Sequence, residues 1–325
     1  MTFLILRKSE VEALLSMRAC IRLMEEALAS LSRGEVTLPL RPVLRIGDRN
    51  AFAVMPAYSQ SLRAASAKLI TVFPDNHGTA LDSHQGAVVL FDGNDGRLLA
   101  LMDAASITAI RTAAVSGVAT RLLARTNAGT AAILGSGVQA RAHIDAMLAA
   151  RDVKRIVIWS RDERHAYSLA DGNARSGVTF DVANTVEAAV RDADVVCTVT
   201  AAREPVLRGE WLRPGTHVNA VGASLATARE LDSDAVKCAR VFVDRRESAL
   251  NEAGDLLIPM REGVIAANHI VAELGEILVA QAEGRRDDDE ITLFKSLGIA
   301  VEDLAAAQYL HARAKAENLG TWVEL

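Results

Sequence analysis

Residues 131–143 read AAILGSGVQARAH. An apolar run ends in Gly135-Ser136-Gly137 and passes at once into helix-forming residues. Two glycines at a strand-to-helix junction have a physical reading. Gly135 permits a tight turn, and Gly137 lets backbone come close to a pyrophosphate. Ala140, at the third position of G-x-G-x-x-A, is small enough for helix to pack on strand. A helix opening at Val138 then points its N-terminal N–H groups at the phosphates.

The flanking sequence supports this reading. TAAILG, RIVIWS, VTFDV, DVVCTVT, THVNAVG and RVFVD are short Val/Ile-rich runs of buried-strand type. Helical stretches such as HIDAMLAA and NTVEAAVRDA separate them, the second with Asn184 and Glu187 at capping-box spacing. Strand alternating with helix predicts a parallel sheet covered on both faces. Upstream the rhythm differs. Ser9 to Arg33 reads as one helix, capped at Ser9 and Glu12 and stopped by Gly34. AFAVMPA, ASAKLITVF, HQGAVVLFD and RLLALMD then read as largely antiparallel strands, with GNDG at 93–96 as a hairpin turn. Residues 104–125 form a small-residue helix, and a last helix, about Ala300 to Asn318, packs back on the first domain. GRRDDDE at 284–290 reads as a solvated loop.

A length of 325 residues suits two domains, and 50% hydrophobic with 24% charged residues suits a soluble globular protein. A net charge of −5 gives no reason to expect nucleic acid or an anionic membrane as partner. Cys20, Cys197 and Cys238 are odd in number and far apart, which predicts no disulfide framework and a cytoplasmic location. MTFLILRKSEVEALL lacks the basic start and cleavage site of a signal peptide, and no stretch is long and apolar enough for a membrane span.

The tip of the second parallel strand selects the dinucleotide. An NAD site usually carries Asp or Glu there; this strand ends in Ser160-Arg161, and Asp162 falls at a helix start. A guanidinium suits a 2′-phosphate, so NADPH is expected over NADH. Arg41, Lys68 and Arg111 are the candidate substrate-orienting cations. Lys68 sits inside an apolar strand, where alternation puts it on one face with Ser66 and Ile70, and Arg111 lies in a helix of small residues. Met55, Tyr58, His84 and Leu297 are candidate pocket walls, each equally readable as core. The histidines show no metal-ligand spacing, and no G-x-S-x-G elbow points to a hydrolase.

Beyond these readings the chain resembles the ornithine cyclodeaminase/mu-crystallin family over nearly its whole length. The resemblance rests on VMPAYS (54–59), AKLITVF, SHQGAVVLFDGNDGRLLALMD, ITAIRTAAVSGVAT, AILGSGVQA, TVTAAREPVLRGEWLRPGTHVNAVGAS and LFKSLGIAVEDLAAA. It implies an α/β fold: a Rossmann-type doubly wound parallel sheet domain at 117–299. An α+β substrate and dimerisation domain would comprise 1–116 with 300–325. It implies that Arg41, Lys68 and Arg111 hold a substrate carboxylate; Leu297, a candidate pocket wall, is counted with the substrate-binding residues. Cofactor contacts would come from Ser83, Gly135, Gly137, Val138, Gln139, Ser160, Arg161, Thr200, Val221, Gly222 and Ser296. A homodimer and no metal are implied as well.

One departure separates the branches. Cyclodeaminases and a related alanine dehydrogenase carry a catalytic Asp in a G-[GA]-D motif after the fifth parallel strand; here the residues are Val221-Gly222-Ala223-Ser224. A serine hydroxyl is no base near neutral pH. Stripping a proton from an ammonium needs one, whereas reducing a preformed imine does not. The resemblance is therefore closest to the mu-crystallin, ketimine-reducing branch. The expected activity is NADPH-dependent reduction of a small cyclic imino acid to the L-amino acid, with Lys68 and Ser224 as catalytic residues. Amino-acid or opine-type dehydrogenase, ornithine cyclodeaminase and a ligand-binding protein are the alternatives.

Overall fold

The computed structural model describes residues 2–76, 79 and 81–324. Its strands are β1 (Thr2–Leu6), β2 (Val36–Thr37), β3 (Val43–Ile46), β4 (Asn50–Ser59), β5 (Ala64–Val72), β6 (His84–Asp92), β7 (Leu98–Asp103), β8 (Thr130–Leu134), β9 (Arg155–Trp159), β10 (Thr179–Val182), β11 (Val195–Thr198), β12 (His217–Ala220), β13 (Arg240–Val243), β14 (Ile270–Glu273), β15 (Thr292–Lys295) and β16 (Thr321–Glu324). The helices are α1 (Lys8–Leu14), α2 (Met17–Ser32), α3 (Ala104–Leu123), α4 (Val138–Ala150), α5 (Glu163–Asp171), α6 (Val186–Val190), α7 (Ser233–Lys237), α8 (Arg246–Glu252), α9 (Gly254–Arg261), α10 (Leu274–Leu278) and α11 (Ala300–Glu317). Contacts divide the chain into two units: residues 1–111 with 299–325, and residues 112–298.

Unit 1 is built on a sheet ordered β16-β1-β7-β6-β5-β4-β2, with β3 added to β4. All pairs are antiparallel except β1 with β7. The β6–β7 hairpin closes as its composition requires: Gly96 takes φ +75° and Asp92 Oδ1 accepts from Asn94 N–H at 2.8 Å. Helix α11 packs on β4 and β5 and against α2, burying Leu304, Ala306, Ala307 and Leu310. The expected first helix is two. Ser16 interrupts it, its hydroxyl accepting from Ala19 N–H to cap α2. The first cap is also not Ser9: Arg7 N–H donates to Glu10 at 2.8 Å. Gly34 does end α2, in the left-handed conformation with φ +78°.

Unit 2 is an eight-stranded sheet, all parallel, in the order β10-β9-β8-β11-β12-β15-β13-β14. The order reverses between β8 and β11, the switch point at whose carboxyl edge doubly wound sheets bind ligands. The α6 cap is Thr185, which accepts from Ala188 N–H, and not Asn184. The 284–290 loop departs from a plain solvated run. Asp287, Asp288 and Asp289 are exposed, but Arg285 is half-buried and donates to Leu123 O, Gly215 O and Thr292 Oγ1. The carbonyl at the end of α3 attracts that guanidinium.

Candidate active site

In unit 1 the register β4–β5–β6 sets Lys68 between Met55 and Val88, both buried, so the ammonium stem enters an apolar layer. Lys68 shares its buried face with Ser66 and Ile70, and is itself only 2% exposed. Its charge meets α11. Lys68 Nζ lies 2.9 Å from Asp303 Oδ2 and donates to Asp303 Oδ1 at 3.2 Å and to Thr108 Oγ1 at 3.3 Å. Arg111, one turn beyond Thr108 on α3, donates to Asp303 Oδ1 at 3.0 Å and to Glu302 Oε2 at 2.6 Å. Two cations thus meet two fully buried carboxylates. The carboxylates sit in the first turn of α11, where helix N–H groups favour negative charge.

Burial, then the Arg111 charge, pulls the Lys68 ammonium down to about 8, while Asp303 acts in the other direction. Arg41, half-buried between β2 and β3, also lowers it. Asp303 stays below the usual carboxylate range: burial opposes this, and Arg111 and Lys68 override it. Partial desolvation, then the Lys68 charge, pushes the His84 imidazole below its ordinary value, and its Nδ1 pairs with Ser83 Oγ at 3.1 Å. Met55 is buried beside Lys68, whereas Tyr58 is exposed. Unit 1 therefore gathers Arg41, Lys68, Arg111 and His84. Residue patterns had not singled out Thr108, Glu302 or Asp303; the visible signal was a pair of acids opening the Ala-rich run AVEDLAAA.

In unit 2 the glycine turn forms at the end of β8. Gly135 takes φ +130°, and a Cβ there would lie 2.8 Å from Val199 O, so the turn admits no side chain. Gly137 caps α4, and a Cβ on it would meet nothing within 4 Å. Open space in front of a helix N-terminus is what a pyrophosphate needs. Ala140 is buried against the sheet and Val138 is exposed. Gln139 O accepts from His143 Nδ1–H at 2.8 Å; burial lowers His143 to about 4, so Nε2 of the neutral ring accepts from Ser116 Oγ. At the tip of β9, Ser160 bonds Ser136 at 2.8 Å and Arg161 is exposed. Asp162 caps α5 and pairs with Arg164, which drives it down to about 2. The residues present fit the pyrophosphate of a dinucleotide.

Thr200 and Gly222 stand at the ends of β11 and β12, but their donors are taken. Thr200 N–H and O–H both donate to Glu230 Oε1 at 2.7 Å, and Gly222 N–H to Glu230 Oε2 at 2.7 Å. Glu230 is fully buried, and nothing in its sequence neighbourhood marks it. Val221 and Ser296 are buried, Ser224 is exposed, and Leu297 belongs to the apolar cluster of the unit. Among the described residues no group of three or more His, Cys, Asp or Glu is placed to hold a metal, and no helix is long and apolar enough to cross a membrane.

Known proteins share this architecture and this pattern. The family model "Ornithine cyclodeaminase/mu-crystallin family" matches residues 1–318. Delta(1)-pyrroline-2-carboxylate reductase of Bacillus cereus is 39% identical over 324 residues, 99% of each chain. Ketimine reductase mu-crystallin of Mus musculus is 42% identical over 295 residues, 89% of this chain and 90% of its own. The structure of Thermococcus litoralis Delta(1)-pyrroline-2-carboxylate reductase in complex with NADH and L-proline has a TM-score of 0.96 at 38% identity, covering 98% of this chain and 99% of that one. A match that runs through both units, from the first strand to the end of α11, makes this chain a member of the ornithine cyclodeaminase/mu-crystallin family.

Proposed function

We propose that this chain is an NAD(P)H-dependent reductase of small cyclic ketimines. Δ1-Pyrroline-2-carboxylate and Δ1-piperideine-2-carboxylate are the substrates, reduced to the L-amino acids. The observation that carries the reading is the charge-balanced cluster of Lys68, Arg111, Glu302 and Asp303 in unit 1. In unit 2 the glycine turn after β8 supports a dinucleotide, and Ser224 after β12 stands where a base would. Arg41 and Arg111 hold the substrate carboxylate. Holding it restricts the ring to the few orientations that can react, an effect worth several kcal/mol in general. Lys68 keeps a proton at neutral pH and gives it to the ring nitrogen as the C=N carbon is reduced. Asp303 aims the Lys68 ammonium and keeps it charged. Ser224 orients the nitrogen or a water. A bound dinucleotide supplies the hydride; Gly137, Val138, Gln139, Ser160 and Arg161 would hold it, with Arg161 favouring NADPH over NADH. Thr200, Val221, Gly222, Ser83 and Ser296 shape the rest of its site.

The apolar residues Val43, Leu44 and Ile46 of β3 are exposed on unit 1, which supports assembly as a homodimer through that unit. Three unbridged cysteines support a cytoplasmic enzyme. The test is loss of reduced-nicotinamide absorbance with each imine and each dinucleotide, with Lys68→Ala beside the wild type. Rapid turnover, faster with NADPH and reduced about 10²–10⁴-fold by the substitution, is expected. Inertness toward both imines with turnover of a 2-oxo acid and ammonia would replace the reading by reductive amination.

A further inference from the structure

Unit 2 contains a buried ionic group of its own. Lys295, at the end of β15, is fully buried with its Nζ 2.9 Å from Asp255 Oδ2. It donates to Ala223 O at 2.6 Å and to Ala220 O at 3.2 Å. Asp255, in the first turn of α9, accepts at Oδ1 from the N–H of Glu230 at 2.7 Å and of Leu231 at 3.0 Å. Glu230 in turn accepts from Thr198 Oγ1 at 2.8 Å and from Thr200 and Gly222 as described. Each side-chain bond of Glu230, and both backbone bonds of Lys295, end on the carboxyl edge of β11 or β12. The fit is close: a Cβ on Gly222 would lie 2.6 Å from Glu230 Oε1 and 2.1 Å from Thr200 O.

A buried ion pair is a poor source of net stability, because desolvation offsets its attraction and apolar residues would serve as well. Direction is what charge adds here. A cation that takes two carbonyls and carboxylates that take four backbone N–H groups pin the backbone at 199–202, 220–224 and 230–231 at once. We propose that Glu230, Asp255 and Lys295 are positioning residues that brace the loops at 199–202 and 220–224 in the conformation the dinucleotide needs. The inference rests on the dinucleotide reading of that crevice and not on which imine is reduced.

The test uses the whole enzyme and NADPH itself. Dissociation constants come from fluorescence titration, melting temperatures are measured without ligand, and KM and kcat complete the set. Lys295→Met leaves Asp255 buried and unpaired; it lowers the melting temperature and weakens NADPH binding by about tenfold or more. Lys295→Met with Asp255→Leu removes the orphan charge. Melting then recovers while NADPH binding stays weak, and KM for NADPH rises more than kcat falls. Recovery of NADPH affinity together with melting would overturn the proposal, since packing alone would then explain the group. Glu230→Gln keeps volume and tests the brace from the other end: weaker NADPH binding in a normally melting protein is expected, and unchanged binding overturns it. A wild type that binds NADPH but reduces no imine sinks the ketimine reading and leaves this one intact.

Discussion

At the scale of single residues, the unit 1 cluster holds together because its charges are all buried and balanced in number, two cations to two carboxylates. Lys68 is surrounded by Met55 and Val88, so its ammonium is held by Asp303 and not by solvent. Its proton is present below about pH 8 and lost above. The expected profile of kcat/KM for imine reduction is therefore flat on the acid side of 8 and falls as pH rises through it. The same depressed value makes the unfolded chain bind more protons between about 8 and 10.5, so this group adds stability above that window and loses it as pH falls through about 8. Asp303→Asn removes the partner that raises Lys68. The break in the profile then moves to lower pH, and kcat/KM at neutral pH falls by about 10²-fold, measured by steady-state kinetics. A break that stays in place would show that Lys68 is not the titrating group.

At the scale of elements, two glycines two residues apart do different physical jobs, and a pair of substitutions separates them. Gly135→Ala forces a Cβ against Val199 O at φ +130°. It costs about 1–3 kcal/mol of stability, read as a lower melting temperature or denaturant midpoint. Gly137→Ala places its methyl in open space. Melting without ligand stays near wild type, while NADPH affinity drops because the methyl occupies the approach to the α4 N–H groups. Equal effects of both substitutions on stability would contradict the assignment. Helix α11 shows the same division of labour on one element: Leu304, Ala306, Ala307 and Leu310 hold it to the sheet, and its first turn carries Glu302 and Asp303 to Lys68 and Arg111.

At the scale of the molecule, unit 1 closes only when the last 27 residues, 299–325, return to the first 111, whereas unit 2 is one continuous stretch. Binding at the glycine turn should then raise the melting of the nucleotide-binding unit. NADPH at about a hundred times its dissociation constant adds about 2.7 kcal/mol, roughly 5–10 °C in a calorimetric scan. NADH at the same concentration gives a smaller rise if Arg161 holds a 2′-phosphate. Equal shifts would remove the case for NADPH.

Much of this architecture is local and was legible without coordinates. Alternating strand and helix from Thr130 onward, the 93–96 hairpin and the turn at Gly135 follow from periodicity and from which residues tolerate which backbone angles. The breaks in that legibility are local too: Ser16 and Thr185 beat Ser9 and Asn184 as caps, because neighbouring candidates of similar propensity are separated only by packing. The inward turn of Lys68 followed from alternation. Its partner did not, because Asp303 lies 235 residues away and no spacing rule reaches that far. Glu230 is the same case. A carboxylate on an unremarkable loop becomes the acceptor for Thr200 and Gly222 only when parallel strands bring their carboxyl ends together. The sequence by itself determined most of the elements, the glycine turn and the inward face of Lys68, since each depends on near neighbours. Only the tertiary structure decided which charges meet, because burial and register are properties of the packed chain.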